Sequence, residues 1–150
     1  MVRVVRAGVR DLDALAPLFD GYRDFYGRPA DPGGARRFLS ERLARDESVV
    51  FLASLEGEAA GFTQLYPWFS SLGLARAWIL NDLFVAPAAR RRGVATALLE
   101  AARRHGEQTG ANGLALQTAV DNTSAQGLYE RLGWVREDGF YWYELPLRNG

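Results

Sequence analysis

Ala77-Trp78-Ile79-Leu80-Asn81-Asp82-Leu83-Phe84-Val85-Ala86-Pro87-Ala88-Ala89-Arg90-Arg91-Arg92-Gly93-Val94-Ala95-Thr96-Ala97-Leu98-Leu99 is the stretch on which the reading of this chain turns. Its first nine residues are mostly apolar and too few for a typical helix, so they read as a buried strand. Pro87 cannot donate to a sheet ladder and ends that strand. From Gly93 on, Val94, Ala97, Leu98 and Ala101 recur at the spacing of one helix face. A strand, a short basic turn with a glycine and a helix start together form an anion site. The first N–H groups of a helix have no internal partner and point off its N-terminus. Gly93 and Ala95 let a phosphate approach the backbone closely, and Arg90, Arg91 and Arg92 add positive charge. A solvated basic turn before an ordinary amphipathic helix is the plainer alternative.

The pattern lacks the Gly-Lys-Ser/Thr ending of a nucleotide-triphosphate loop and the Gly-x-Gly-x-x-Gly of a dinucleotide fold. Composition narrows the choice further. The 150 residues match the size of one domain spanning 1–150, with 18 basic and 18 acidic side chains in balance. That balance argues against a dedicated nucleic-acid binder. The absence of cysteine removes thiolate catalysis and zinc-thiolate sites, and one histidine makes a His-rich metal site improbable, so no metal is expected. No apolar run reaches membrane length, and no signal peptide follows Arg3, Arg6 and Arg10, so a soluble cytoplasmic protein is expected.

Taken in order, residues 2–6 form a first strand. Asp11 is placed to cap a helix whose apolar face is Leu12, Leu15, Phe19, Tyr22 and Tyr26, with Pro17 inside it. A second helix spans roughly 35–45. Residues 48–55 and 59–66 form a hairpin through Glu56-Gly57, and residues 67–73 read as a loop carrying Trp68 and Phe69. Leu114 to Val120 reads as another strand, followed by the capping run Asp121-Asn122-Thr123-Ser124 and a short helix closed by Gly133. Residues 134–137 and 140–145 read as a last hairpin through Asp138-Gly139. The result is an α/β domain, a mixed sheet of about seven strands with about four helices on both faces. His105, near the end of its helix, reads as a surface residue facing the helix dipole.

Arg90-x-x-Gly93-x-Ala95 after an apolar strand resembles the pyrophosphate loop of the GNAT superfamily of acyl-CoA-dependent N-acyltransferases. A second match, Asn122-x-x-Ala125-x-x-x-Tyr129-x-x-x-Gly133-Trp134, lies downstream, and the element order is that of the GNAT fold. The resemblance implies splayed central strands. The backbone of Leu83, Phe84 and Val85 would pair with the pantetheine arm, and Arg91, Arg92, Gly93, Val94, Ala95 and Thr96 would hold the pyrophosphate. Arg90 or Arg92 would reach adenosine phosphates or lie in solvent. Asn122 and Ala125 would contact the cofactor, acetyl-CoA, although Asn122 is equally a helix cap. Tyr129 would protonate the leaving thiolate, a phenol having a pKa near that of a thiol; otherwise it is a core aromatic between Ala125 and Leu132.

The family's general base is less direct. Polyamine N-acetyltransferases, which Gln64 to Val85 resembles, carry a glutamate where Asn81 stands here. Asp82 is the nearest carboxylate, but strand neighbours point to opposite faces. Asn81 would then orient the amine or a relaying water. In the family the first helix and the loop after the third strand flank the acceptor cleft. The resemblance thus implies that Tyr22, Tyr26 and Tyr66 meet an amine through cation–π contact; ordinary core packing is the plainer alternative. The implied protein is an N-acetyltransferase of a small polyamine-like or amino-acid-like primary amine, a homodimer, working by direct attack in a ternary complex. A protein or peptide N-acetyltransferase and a non-catalytic acyl-CoA sensor are the alternatives.

Overall fold

The computed structural model describes residues 1–147. The chain forms two compact units, Met1–Gln117 and the segment from Thr118 onward. The first holds β1 (Val2–Arg6), a 3-10 turn (Val9–Asp11), α1 (Leu12–Phe25), α2 (Pro32–Ala44), β2 (Val49–Leu55), β3 (Glu58–Ser70), β4 (Ala75–Val85), a second 3-10 turn (Pro87–Ala89), α3 (Val94–Gln108) and β5 (Leu114–Ala115). The sheet order is β1-β2-β3-β4-β5. The first three pairings are antiparallel and β4–β5 is parallel, so the sheet is mixed.

Period-two alternation in β2 feeds two cores. Val50 and Leu52 join Leu15, Phe19, Leu39, Phe62 and Phe84 under α1 and α2. Ala53 and Leu55 join Ala60, Val94 and Leu98 under α3. Helices thus cover both faces of the sheet, and each buried aliphatic or aromatic side chain contributes about 1.5–3 kcal/mol of transfer free energy. Glu56 (φ 52°) and Gly57 (φ 83°) make the tight β2–β3 turn, both with the positive φ that matches strand twist.

Some expectations are corrected. Asp11 does not cap α1 with its side chain; its carboxylate accepts from the Gly8 N–H at 2.8 Å and so fixes the preceding 3-10 turn. Residues 67–70 are strand, not loop. Pro67 is tolerated there because β2 ends opposite Leu65, so its missing N–H faces no ladder on that side.

The second unit holds α4 (Thr123–Arg131). Asn122 Oδ1 accepts from the Ala125 N–H at 3.2 Å and caps it. Gly133 (φ 95°) ends it in the left-handed conformation, with Trp134 N–H donating to Tyr129 O at 3.0 Å.

The described residues form five strands, not about seven. Leu114 to Val120 contracts to Leu114–Ala115, and residues 134–137 and 140–145 form no hairpin. Alternating side chains mark a segment able to bury one face, but a strand exists only where a neighbour accepts its ladder bonds. Here local side chains compete instead: Glu137 accepts from the Gly139 N–H at 2.6 Å, and Arg136 pairs with Asp138 at 3.0 Å.

Gly61 lets α3 start close to the sheet, since a Cβ there would lie 2.6 Å from Phe84 O and 3.1 Å from Val94 Cγ1. Gly61→Ala is expected to lower stability by about 1–3 kcal/mol through overpacking, read as a lower urea midpoint.

Candidate active site

The ladder between β3 and β4 slips by one residue. Gln64 pairs with Asp82 and Leu65 with Leu80, so Asn81 is the extra residue of a β-bulge. A bulge turns the strand and breaks its alternation. Asn81 and Asp82 therefore line the same cavity, which corrects the expectation that they face opposite ways.

That cavity, of about 640 Å³, lies between α1, α2 and the sheet. Its walls are aromatic: Phe19, Tyr22, Tyr26, Phe38 and Tyr66. Tyr22 and Tyr26 meet edge to face at 5.1 Å, and the Tyr22 hydroxyl donates to the Asn81 carbonyl at 3.2 Å. Three tyrosines chosen from the sequence thus come together with Asn81 and Asp82.

Asp82 is 2% exposed. Asn81 Nδ2 donates to its Oδ1 at 2.7 Å and Gln64 Nε2 to its Oδ2 at 2.6 Å. Burial pushes its pKa above the usual carboxylate range; hydrogen bonds from Asn81, Gln64 and Tyr22 pull against that rise. Burial also raises the pKa of Tyr22 and Tyr66, and the Asp82 charge adds to it, so both phenols stay protonated. A buried carboxylate with a raised pKa in a cleft marks a candidate functional site.

Gln64 was not foreseen. Its signal was present in the sequence: an amide within the predicted strand Ala59 to Tyr66, two residues from Phe62 and so on the same face, must find a buried partner.

At the other end of β4 the backbone matches the anion site read from the sequence. Gly93 (φ 83°) is the N-cap of α3. The Ala97 N–H makes the helix's first bond, to Gly93 O at 3.1 Å, so the amides of Val94, Ala95 and Thr96 precede the ladder. Arg90 is exposed but tied back: its Nε donates to Val85 O at 3.0 Å and its guanidinium lies 5.8 Å from the Phe25 and Phe84 ring centres. Arg91 and Arg92 are exposed. β4 pairs with β5 only at Trp78 and Ile79, so Leu80 to Val85 have no strand partner on that edge among the described residues. An open strand edge followed by free helix amides fits a ligand carrying an amide-rich arm and a pyrophosphate.

In the second unit Asn122 is engaged as the α4 cap, and the Tyr129 ring lies 6.2 Å from that of Trp134. His105 is not on the surface. It is 8% exposed, packed against Phe51 and Trp78, and burial lowers its pKa.

The family model described as Acetyltransferase (GNAT) family matches residues 15–134. The chain belongs to the GNAT family. It is 46% identical to the uncharacterized N-acetyltransferase YhfO of Bacillus subtilis (strain 168), over 97% of this chain and 98% of that one. A crystal structure of a probable acetyltransferase superposes with a TM-score of 0.91 at 48% identity, covering 97% of each chain. The aminoglycoside N(6')-acetyltransferase type 1 of Salmonella typhimurium is 29% identical over 69% of this chain and 73% of its own. As a GNAT member the protein is an acetyltransferase with acetyl-CoA as co-substrate.

A Cβ on Gly93 would meet nothing within 4 Å, so the cost of adding one is conformational. Gly93→Ala is expected to lose about 1 kcal/mol of stability from its left-handed φ and to bind acetyl-CoA more weakly, measured by thermal unfolding and calorimetric titration.

Proposed function

We propose that this protein acetylates a primary amine of a small, cationic molecule by direct attack in a ternary complex. The observation that carries the reading is the buried Asp82 carboxylate at the floor of an aromatic cavity. Tyr22, Tyr26 and Tyr66 attract an ammonium group by cation–π contact. Asp82 takes one ammonium proton, Asn81 orients the nitrogen, and the neutral amine attacks. Acetyl-CoA supplies the acetyl group as a thioester. The backbone of Leu83 to Val85 aligns the pantetheine arm, and amides from Gly93 to Thr96 hold the pyrophosphate with Arg91 and Arg92 beside them. Asn122 and Ala125 contribute further cofactor contacts. After attack the nitrogen carries a second proton to shed. As the C–S bond breaks, Tyr129 gives its phenol proton to the departing thiolate and takes up that second proton. CoA thus leaves as the thiol, and the first proton leaves with Asp82. The role of Tyr129 rests on the spacing of the α4 motif. A polyamine-like, amino-acid-like or aminoglycoside-like acceptor suits the cavity, and the name of the Salmonella relative supports a polycation.

The homodimer is part of the same reading. Phe140, Tyr141, Trp142 and Tyr143 are exposed, Tyr141 at 93%. Aromatic side chains of about 150–250 Å² each supply together most of the roughly 800 Å² per partner of a stable interface. A second copy suits this row because the chain has no net charge to repel itself. Trp142→Glu is expected to convert a dimer to a monomer in light scattering; a monomeric parent protein would remove this part of the reading.

CoA release from acetyl-CoA across polyamines, amino acids, aminoglycosides and short peptides tests the chemistry. Turnover is expected with a small polycation, rising with pH as Asp82 ionises above the usual carboxylate range. Asp82→Asn should abolish that limb and lower kcat by about 10²–10⁴-fold with acetyl-CoA affinity unchanged. Tyr129→Phe should lower kcat as well. Turnover with peptides alone would favour a protein substrate, and acetyl-CoA binding without turnover would favour a sensor.

A further inference from the structure

Behind the proposed base lies a hydrogen-bond chain that the reaction as described does not use. Gln64 is 0% exposed and Ser48 is 4% exposed. Ser48 Oγ donates to Gln64 Oε1 at 2.7 Å, and Gln64 Nε2 donates to Asp82 Oδ2 at 2.6 Å. The three side chains run from the start of β2 across β3 to β4.

We propose that Gln64 is a positioning residue whose side-chain amide reverses its orientation each time Asp82 gains or loses a proton, with Ser48 serving as partner in both states. The proposal rests on Asp82 being the base and adds a function for the groups behind it.

An ionised carboxylate accepts only, so it needs the amide N–H₂ facing it, as observed. When the proton rests on Oδ2, the oxygen facing Gln64, Asp82 becomes a donor there. Left in place, the amide N–H₂ would then meet an O–H, two donors facing each other beside the fully buried Gln64. Rotating the amide by a half turn presents Oε1 to the new O–H and Nε2 to Ser48 Oγ. A serine hydroxyl both donates and accepts, so Ser48 serves either arrangement. Gln64 Oε1, Gln64 Nε2 and the facing Asp82 oxygen each keep a partner in both states, which matters because an unpaired buried polar group costs far more than a net hydrogen bond yields. No proton crosses the amide. The proton passes from the substrate ammonium to Asp82 and leaves through the cavity.

Other groups facing Asp82 do not offer this reversal. Asn81 donates to the second oxygen. Tyr22 and Tyr66 face it as phenols, and Arg42 on α2 acts on Tyr66. Arg23, Arg28 and Asp31 line the cavity, with Asp31 engaged as the α2 cap through the Gly34 N–H. Gln64 alone among these spans Asp82 and a hydroxyl.

The test is the pH profile of kcat/KM for the full chain and three variants. Gln64→Met keeps the volume and removes the donor. Its acid limb is expected to move to higher pH, with kcat/KM at pH 7 down about tenfold or more, because hydrogen bonds to charged groups are the strong ones. Ser48→Ala should move the limb in the same direction by less, and Ser48→Thr, which keeps the hydroxyl, should restore the parent profile. In the parent protein the ¹⁵N and ¹H resonances of the Gln64 side-chain amide should shift across that limb, and they should not in Asp82→Asn. If Asp82→Asn retains parent turnover, the base assignment fails and the reversal with it. A dead Asp82→Asn beside Gln64→Met and Ser48→Ala variants whose limb has not moved overturns the reversal alone. If Gln64→Met does not fold, the Ser48 pair and the amide resonances decide.

Discussion

The one-residue slip between β3 and β4 is the constraint on which the rest depends. Before Asn81, the β4 side chains that bury themselves face α3, where Trp78 packs on His105. After it they face α1, where Phe84 joins the other core. A regular strand would send Phe84 out of that core and separate Asn81 from Asp82. The bulge lets one strand serve both helix layers, and it places two successive polar side chains in one cavity. Packing and chemistry are satisfied by the same backbone irregularity.

Asp82 shows how a fold keeps a carboxylate inside. Burial alone would hold the proton on too tightly to release a base at neutral pH, while full hydrogen bonding would leave an acceptor too weak to take one. The two influences oppose each other here, burial being the larger. The supporting donors come from three elements, α1, β3 and β4 itself. Such a site is costly unless each member is satisfied, which is why a buried glutamine and serine stand behind it.

At the far end of β4 the site is made of backbone. A left-handed glycine, the leading amides of a long helix and a strand edge without a strand partner among the described residues supply backbone donors. All three arginines are exposed, but Arg90 alone is tied to the end of β4, through Val85 O.

Much of this was legible in the sequence because it is local. Apolar periodicity located α1, α3 and the central strands, Pro87 and Gly93 marked a strand end and a helix start, and Asn122 and Gly133 bounded α4. The tyrosines of the cavity were readable as candidates from their aromatic type together with the segments the family resemblance places at the acceptor cleft. Tertiary structure decided what depends on partners distant in the chain. Residues 134–145 alternate like strands, yet form none in the described structure, because alternation does not supply a neighbour for the ladder. His105 is buried because Phe51 and Trp78 reach it from other strands. Most of all, the bulge at Asn81 arises only when β3 and β4 pair, since register is a property of two strands and not of one. That pairing, unreadable from either strand alone, is what turns Asp82 and Gln64 from separate polar residues into a joined site.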